Sequence, residues 1–190
     1  MTRRQILATL ALLFSPALAM AHPGHEAAGL LAGLAHPLTG LDHLLAMLAV
    51  GLWAAQQQGA ARWALPLAFV GSMLAGAVLG NSGVTLPWTE SAIAASVMAF
   101  SLLVVVAARL PMLAALCLTA VFALFHGVAH IQELPATGSV LSYASGFLLA
   151  TAGLQAFGFA LLRWLPEAAA PWLRASAGIS AAAGCWLLAS

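Results

Sequence analysis

From residue 37 onward the chain is almost entirely apolar, in six stretches joined by connections too short to hold a folded domain. The stretches run approximately 37–57, 62–80, 91–109, 111–132, 139–163 and 171–189, each near the roughly 20 residues that a helix needs to cross the hydrocarbon of a bilayer. Between them lie Gln56-Gln57-Gln58-Gly59, Gly80-Asn81-Ser82-Gly83, a tight turn at Arg109-Leu110-Pro111, Pro135-Ala136-Thr137-Gly138, and Pro166 to Pro171. Only 6 % of the residues are charged, and mean hydropathy is +1.02. A water-soluble domain carries about 25 % charged residues to cover its surface. This composition therefore predicts an all-α, polytopic membrane helix bundle whose solvent is lipid. The sixth stretch is the weakest, because Arg174 intrudes at its start.

The first residues follow a different pattern. Arg3 and Arg4 precede a short apolar run from Ile6 to Leu18, and Ala19-Met20-Ala21 has the small-x-small form of a cleavage site. Residues 1–21 are expected to be a signal peptide. Residues 22–190 would then form a single transmembrane domain with its mature N-terminus on the outer side of a bacterial inner membrane. With that start, Arg62, Arg109, Arg163 and Arg174 all fall on the inner side, while the outer connections carry Glu90 and Glu133 but no Lys or Arg. This is the positive-inside pattern. Trp53, Trp63, Trp88, Trp164, Trp172 and Trp186 all lie near predicted helix ends, where an indole suits the headgroup region.

The composition also excludes some partners. Net charge is +1 with no basic run, so nucleic acid is not expected. No phosphate-cradling loop is present, which excludes ATP hydrolysis by this chain. Cys117 and Cys185 sit inside apolar segments and read as small buried side chains. Gly29-xxx-Gly33 and Gly76-xxx-Gly80 have the spacing that lets helix backbones approach closely. No sequence similarity supports an inverted repeat between the two halves.

Two clusters of ionisable residues interrupt the apolar stretches. The first is His36-Pro37-Leu38-Thr39-Gly40-Leu41-Asp42-His43, followed by Met47. Pro37 suits the first turn of a helix. His36 would then stand at the cap, with His43 two turns down the same face and Met47 one turn further. An unpaired Asp at this depth costs roughly 2.5–3.5 kcal/mol. Asp42 must therefore pin helices together, ligate a metal, or orient an imidazole that does. The second cluster is Phe125-His126-Gly127-Val128-Ala129-His130-Ile131-Gln132-Glu133. His126 and His130, at i and i+4, lie on one face at a spacing that lets two imidazoles share an ion. Glu133 continues the stripe towards the outer surface as an entry ligand.

The predicted topology places both clusters in the outer half of the membrane, as one shared site. Glu90 is a further candidate ligand, or a solvated interfacial charge. After cleavage His22 would offer an amine and an imidazole together, with His25 close by; a plain polar N-terminus is the other reading. Imidazole with carboxylate suits borderline divalent ions such as Ni²⁺, Co²⁺ and Zn²⁺. Bound imidazole must be neutral, so acid weakens binding.

These motifs carry a resemblance. His36-Pro37-x-x-Gly40-x-Asp42-His43-x-x-Ala46-Met47, continuing into Val50-Gly51-Leu52-Trp53-Ala54, resembles the signature of the HupE/UreJ family. Phe125-His126-Gly127-x-Ala129-His130-x-x-Glu133 is similar to that family's second motif, with Ile131 where a small Gly is expected. The resemblance implies secondary uptake of nickel, in some members cobalt, in support of hydrogenase or urease and their maturation machinery. It implies that the ion is a transported substrate with no permanently bound cofactor, recognised by His36, Asp42, His43, His126, His130 and Glu133. Two other readings stand beside it. One is an intramembrane zinc hydrolase using Ser96, Ser101 or Ser142. The other is a structural or sensory subunit that binds metal without moving it.

Overall fold

A computed structural model describes residues 25–134 and 139–189. The predicted signal peptide, His22 and the connection at 135–138 lie outside them. All regular structure among the described residues is helical: α1 (His25–Thr39), α2 (Leu41–Gln56), α3 (Ala61–Asn81), α4 (Thr89–Val105), α5 (Met112–Gln132), α6 (Val140–Trp164) and α7 (Ala170–Ala189), with one 3₁₀ turn at Glu167–Ala169. A bilayer leaves no water for exposed N–H and C=O groups, so helices, which satisfy them internally, are what such a sequence can form.

Three helices, α3, α5 and α6, are long and apolar enough to cross a membrane, and a fourth span exists if α1 and α2 are taken as one broken span. α4 is apolar but only 17 residues long. The expectation of one straight helix over 37–57 is overturned. The chain enters this region already helical from His25, bends by 79°, and restarts at Leu41. Residues 25–36 are rich in Ala and Leu, strong helix formers, so Pro37 falls in the last turn of α1 instead of opening a new helix. The bend is at Gly40, whose backbone is extended. Thr39 closes the end of α1 by donating its hydroxyl towards the carbonyls of Ala35 (3.2 Å) and His36 (3.0 Å).

Glycines set which helices touch. A Cβ on Gly33 would collide with the Tyr143 carbonyl oxygen, so α1 and α6 pack backbone to backbone. A Cβ on Gly76 would collide with the Leu124 carbonyl oxygen, which joins α3 to α5 in the same way. Gly76→Ala is therefore expected to lower the stability of the bundle by about 1–3 kcal/mol through overpacking. Gly71→Ala, on the same helix but with nothing within 4 Å of the added methyl, should be close to neutral. Thermal unfolding of the two variants in detergent checks the contrast.

The bundle has two chemically different ends. At one, the indole N–H of Trp53 and the side-chain amide of Gln57 both donate to the Ala108 carbonyl, at 2.9 and 3.0 Å. The Arg174 guanidinium caps the neighbouring Val105 carbonyl at 2.7 Å. Arg62 lies over the Trp63 ring, which stacks on Phe159 one turn before Arg163. Arg62, Arg163 and Arg174 thus belong to this end, as does Arg109, the residue after Ala108. The opposite end, formed by the start of α2, the end of α5 and the start of α6, carries the histidines. Two smaller expectations are corrected. Trp53 is fully buried, because its N–H is satisfied by the α4 terminus and not by a headgroup. Cys117 and Cys185 are free thiols on the exposed outer surface of the bundle, facing away from the core.

Candidate metal centre

The bend at Gly40 builds the site. With α1 and α2 set at 79°, His36 at the end of one and His43 near the start of the other face each other, ring centroids 5.7 Å apart. On a straight helix they would lie two turns apart. The end of α5 delivers His130 between them, with centroids 4.9 Å from His36 and 4.5 Å from His43. One ring nitrogen from each of the three lies within 4.8 Å of the others. Three donors bound to one ion at about 2.1 Å lie about 3.0–3.6 Å from one another, so gathering an ion draws the nitrogens together by about 1–2 Å at most.

The hydrogen bonding leaves nitrogens of His43 and His130 available, while His36 Nε2 pairs with Glu133. Asp42 Oδ1 accepts the His43 backbone N–H at 2.7 Å and lies 2.8 Å from His43 Nδ1. A carboxylate only accepts, so Nδ1 carries the proton and Nε2 presents a lone pair. That Nε2 is buried without a hydrogen-bond partner among the described residues, and so are both ring nitrogens of His130. Each buried polar atom left unpaired costs about 1–3 kcal/mol. Several at one point, on rings that face each other, fit a group of donors for a cation. Gly40 leaves room for the arrangement. A methyl there would lie 3.2 Å from Asp42 Oδ1 and 3.3 Å from His43 Nδ1, tighter than ordinary contact. Gly40→Ala should push the pair off its preferred geometry at a cost of about 0.5–1.5 kcal/mol, read as a several-fold weaker affinity for Co²⁺ or Ni²⁺ in titration calorimetry.

The other predicted residues take distinct places. Glu133 Oε2 lies 2.5 Å from His36 Nε2. Exposure falls from 45 % at the Glu133 side chain and 25 % at His36 to 6 % at His43, with His130 fully buried, so the group opens outward through Glu133. His126 is one turn deeper than His130 and outside the three-histidine group; its ring is 4.8 Å from that of His43. Ser96 Oγ is 2.9 Å from His126 Nε2 and 2.7 Å from the Ile93 carbonyl. Its one hydrogen goes to that carbonyl, so the imidazole donates to the hydroxyl oxygen. Met47 is buried with its sulfur against Thr151, not among the histidines. Glu90 is exposed in the first turn of α4 and makes no ion pair among the described residues. Of His25 only its place at the start of α1 is described. Ile131 is buried, and its Cβ would be 3.5 Å from a methyl on Gly80, so it packs α5 against α3 beside His130.

Aromatic neighbours that sequence motifs do not mark complete the walls. Phe147 stacks on His130 at 4.6 Å and 8°, and Tyr143 stands 6.1 Å from His36. Both come from α6, which carries no charged residue near them, so local sequence held no sign of them.

The fold and site define an integral membrane helix bundle with a buried histidine cluster opening to one end. The model of the family described as HupE / UreJ protein matches residues 10–187, and the chain belongs to that family. It is 45 % identical over 186 residues, 97 % of each chain, to "Protein HupE" of Rhizobium leguminosarum bv. viciae. No solved structure matches it significantly.

Proposed function

We propose that the chain is a secondary transporter that takes up a divalent transition-metal cation, Ni²⁺ with Co²⁺ as a second substrate, to supply hydrogenase or urease maturation. The observation that carries this reading is the meeting of His36, which pairs with the exposed Glu133, with His43 and His130, whose buried nitrogens are unpaired among the described residues. A hydrated ion first meets the Glu133 carboxylate, which is held by His36. It sheds water as it exchanges into the three imidazoles, with Asp42 behind His43 stabilising the added positive charge. Borderline divalent ions suit such donors; the choice of nickel within that group rests on the family.

The orientation follows from charge. The gathering of Arg62, Arg109, Arg163 and Arg174 at the end opposite the histidines supports an inner membrane location with the site facing outward. In this reading the chain crosses the membrane six times after loss of residues 1–21.

Uptake of radioactive nickel into proteoliposomes tests the proposal. Time-dependent accumulation inside vesicles, absent from vesicles without protein, is the expected result. Nickel binding without flux would leave a structural or sensory subunit. Metal-dependent amidase or lipase activity without flux would favour a hydrolase. Ser96 gives that last reading little support, because its hydrogen is directed to Ile93 and not to the imidazole.

A further inference from the structure

Directly inward of the histidines lies a second group of donors that the entry site does not use. Thr151 Oγ1 is 3.1 Å from Met47 Sδ and 3.7 Å from Met73 Sδ, bringing α6, α2 and α3 to one point. All three side chains are fully buried. Two independent registers place this point below the entry site. Met47 is one helical turn past His43, and Thr151 is one turn past Phe147, the ring stacked on His130. One turn beyond Thr151, towards the arginine end, is Gln155. It is 2 % exposed, and neither atom of its amide has a hydrogen-bond partner among the described residues.

We propose that Met47, Met73, Thr151 and Gln155 form an inner station that receives the cation from His43 and His130 and passes it towards the arginine end. This rests on the transport reading. The chemistry suits a receiving and releasing site. Two thioethers, a hydroxyl and an amide oxygen are neutral, so they hold a divalent ion more weakly than imidazoles backed by a carboxylate. Conduction needs sites from which the ion can leave. Thioether donors also discriminate against hard Mg²⁺ and Ca²⁺, which prefer all-oxygen sites. Leucine would fill the two methionine positions equally well if they served only packing. A buried Gln with an unpaired amide is costly in a role that is packing alone.

The test compares wild type with the double variant M47L/M73L and with Thr151→Val, using Ni²⁺ as the probe. Equilibrium binding is measured on purified protein and uptake in proteoliposomes. In both variants, nickel affinity is expected within about two-fold of wild type, which also shows that the entry site is folded. The maximal uptake rate should fall at least roughly ten-fold, with the half-saturating concentration little changed. Wild-type uptake rates in both variants would overturn the inner station while leaving transport intact. Parallel loss of binding and uptake would also overturn it, since the residues would then be supporting the histidines. A wild-type protein that binds nickel but never accumulates it would overturn the transport reading itself, and the station with it.

Discussion

His130→Leu should abolish nickel and cobalt binding and uptake, yet leave the apo protein at least as stable as wild type. The opposite signs follow from the bonding of His130. Neither ring nitrogen has a hydrogen-bond partner among the described residues, and the ring is fully buried against Phe147. Replacing it with an apolar side chain of similar size removes two unpaired polar atoms and leaves none behind, so stability should hold or rise, by up to about 1–3 kcal/mol. In the proposed reading this cost belongs to metal binding and not to folding. On the binding side, one of three imidazoles is lost, and affinity should drop by more than about 100-fold, beyond the loss typical of supporting residues. Thermal unfolding with and without Ni²⁺ reads both effects together. Wild type should melt higher as the ion is added, because the ion binds only the folded state. The variant should start as high and not respond. A nickel-dependent shift of wild-type size in the variant would exclude His130 from the site.

Asp42→Asn should weaken nickel affinity by about 10–100-fold with almost no change in shape. Asp42 Oδ1 is shared between the backbone N–H and Nδ1 of His43, and this contact sets which nitrogen of His43 is free. An Asn of the same size removes the negative charge that offsets the bound cation. If its NH₂ turns towards the imidazole, it also favours the tautomer with Nε2 protonated, which cannot bind metal. The His43 backbone bond can persist through the amide oxygen, so folding should change little. Titration calorimetry gives the affinity. An unchanged dissociation constant would mean that the carboxylate serves the bend and not the imidazole.

Much of this arrangement is legible in the sequence. Apolar runs of spanning length predict α3, α5 and α6, and the rarity of charge in the chain draws attention to His36, Asp42, His43, His126, His130 and Glu133. Local spacing also reveals that a carboxylate next to His43 could orient it. Other features were not legible. A Pro37 that reads as a helix start lies in the last turn of α1, because the helix-forming residues before it extend the helix through it. His126 and His130 share a helix face, but the three-histidine group takes His130 with partners from α1 and α2 and leaves His126 to Ser96.

By itself the sequence determined the class of protein and the positions of most helices, and it singled out the candidate donor residues, since these follow from hydropathy, chain length and side-chain chemistry within one segment. Only the tertiary structure decided which donors meet. The 79° bend at Gly40 turns His43 towards His36, glycine contacts such as Gly33 on Tyr143 and Gly76 on Leu124 choose the helix neighbours, and Thr151 finds two methionine sulfurs that lie 104 and 78 residues away. Helical periodicity is a local property and carries no information about the direction of a bend. Which backbones approach within contact distance is settled by shape matching between segments far apart in the chain.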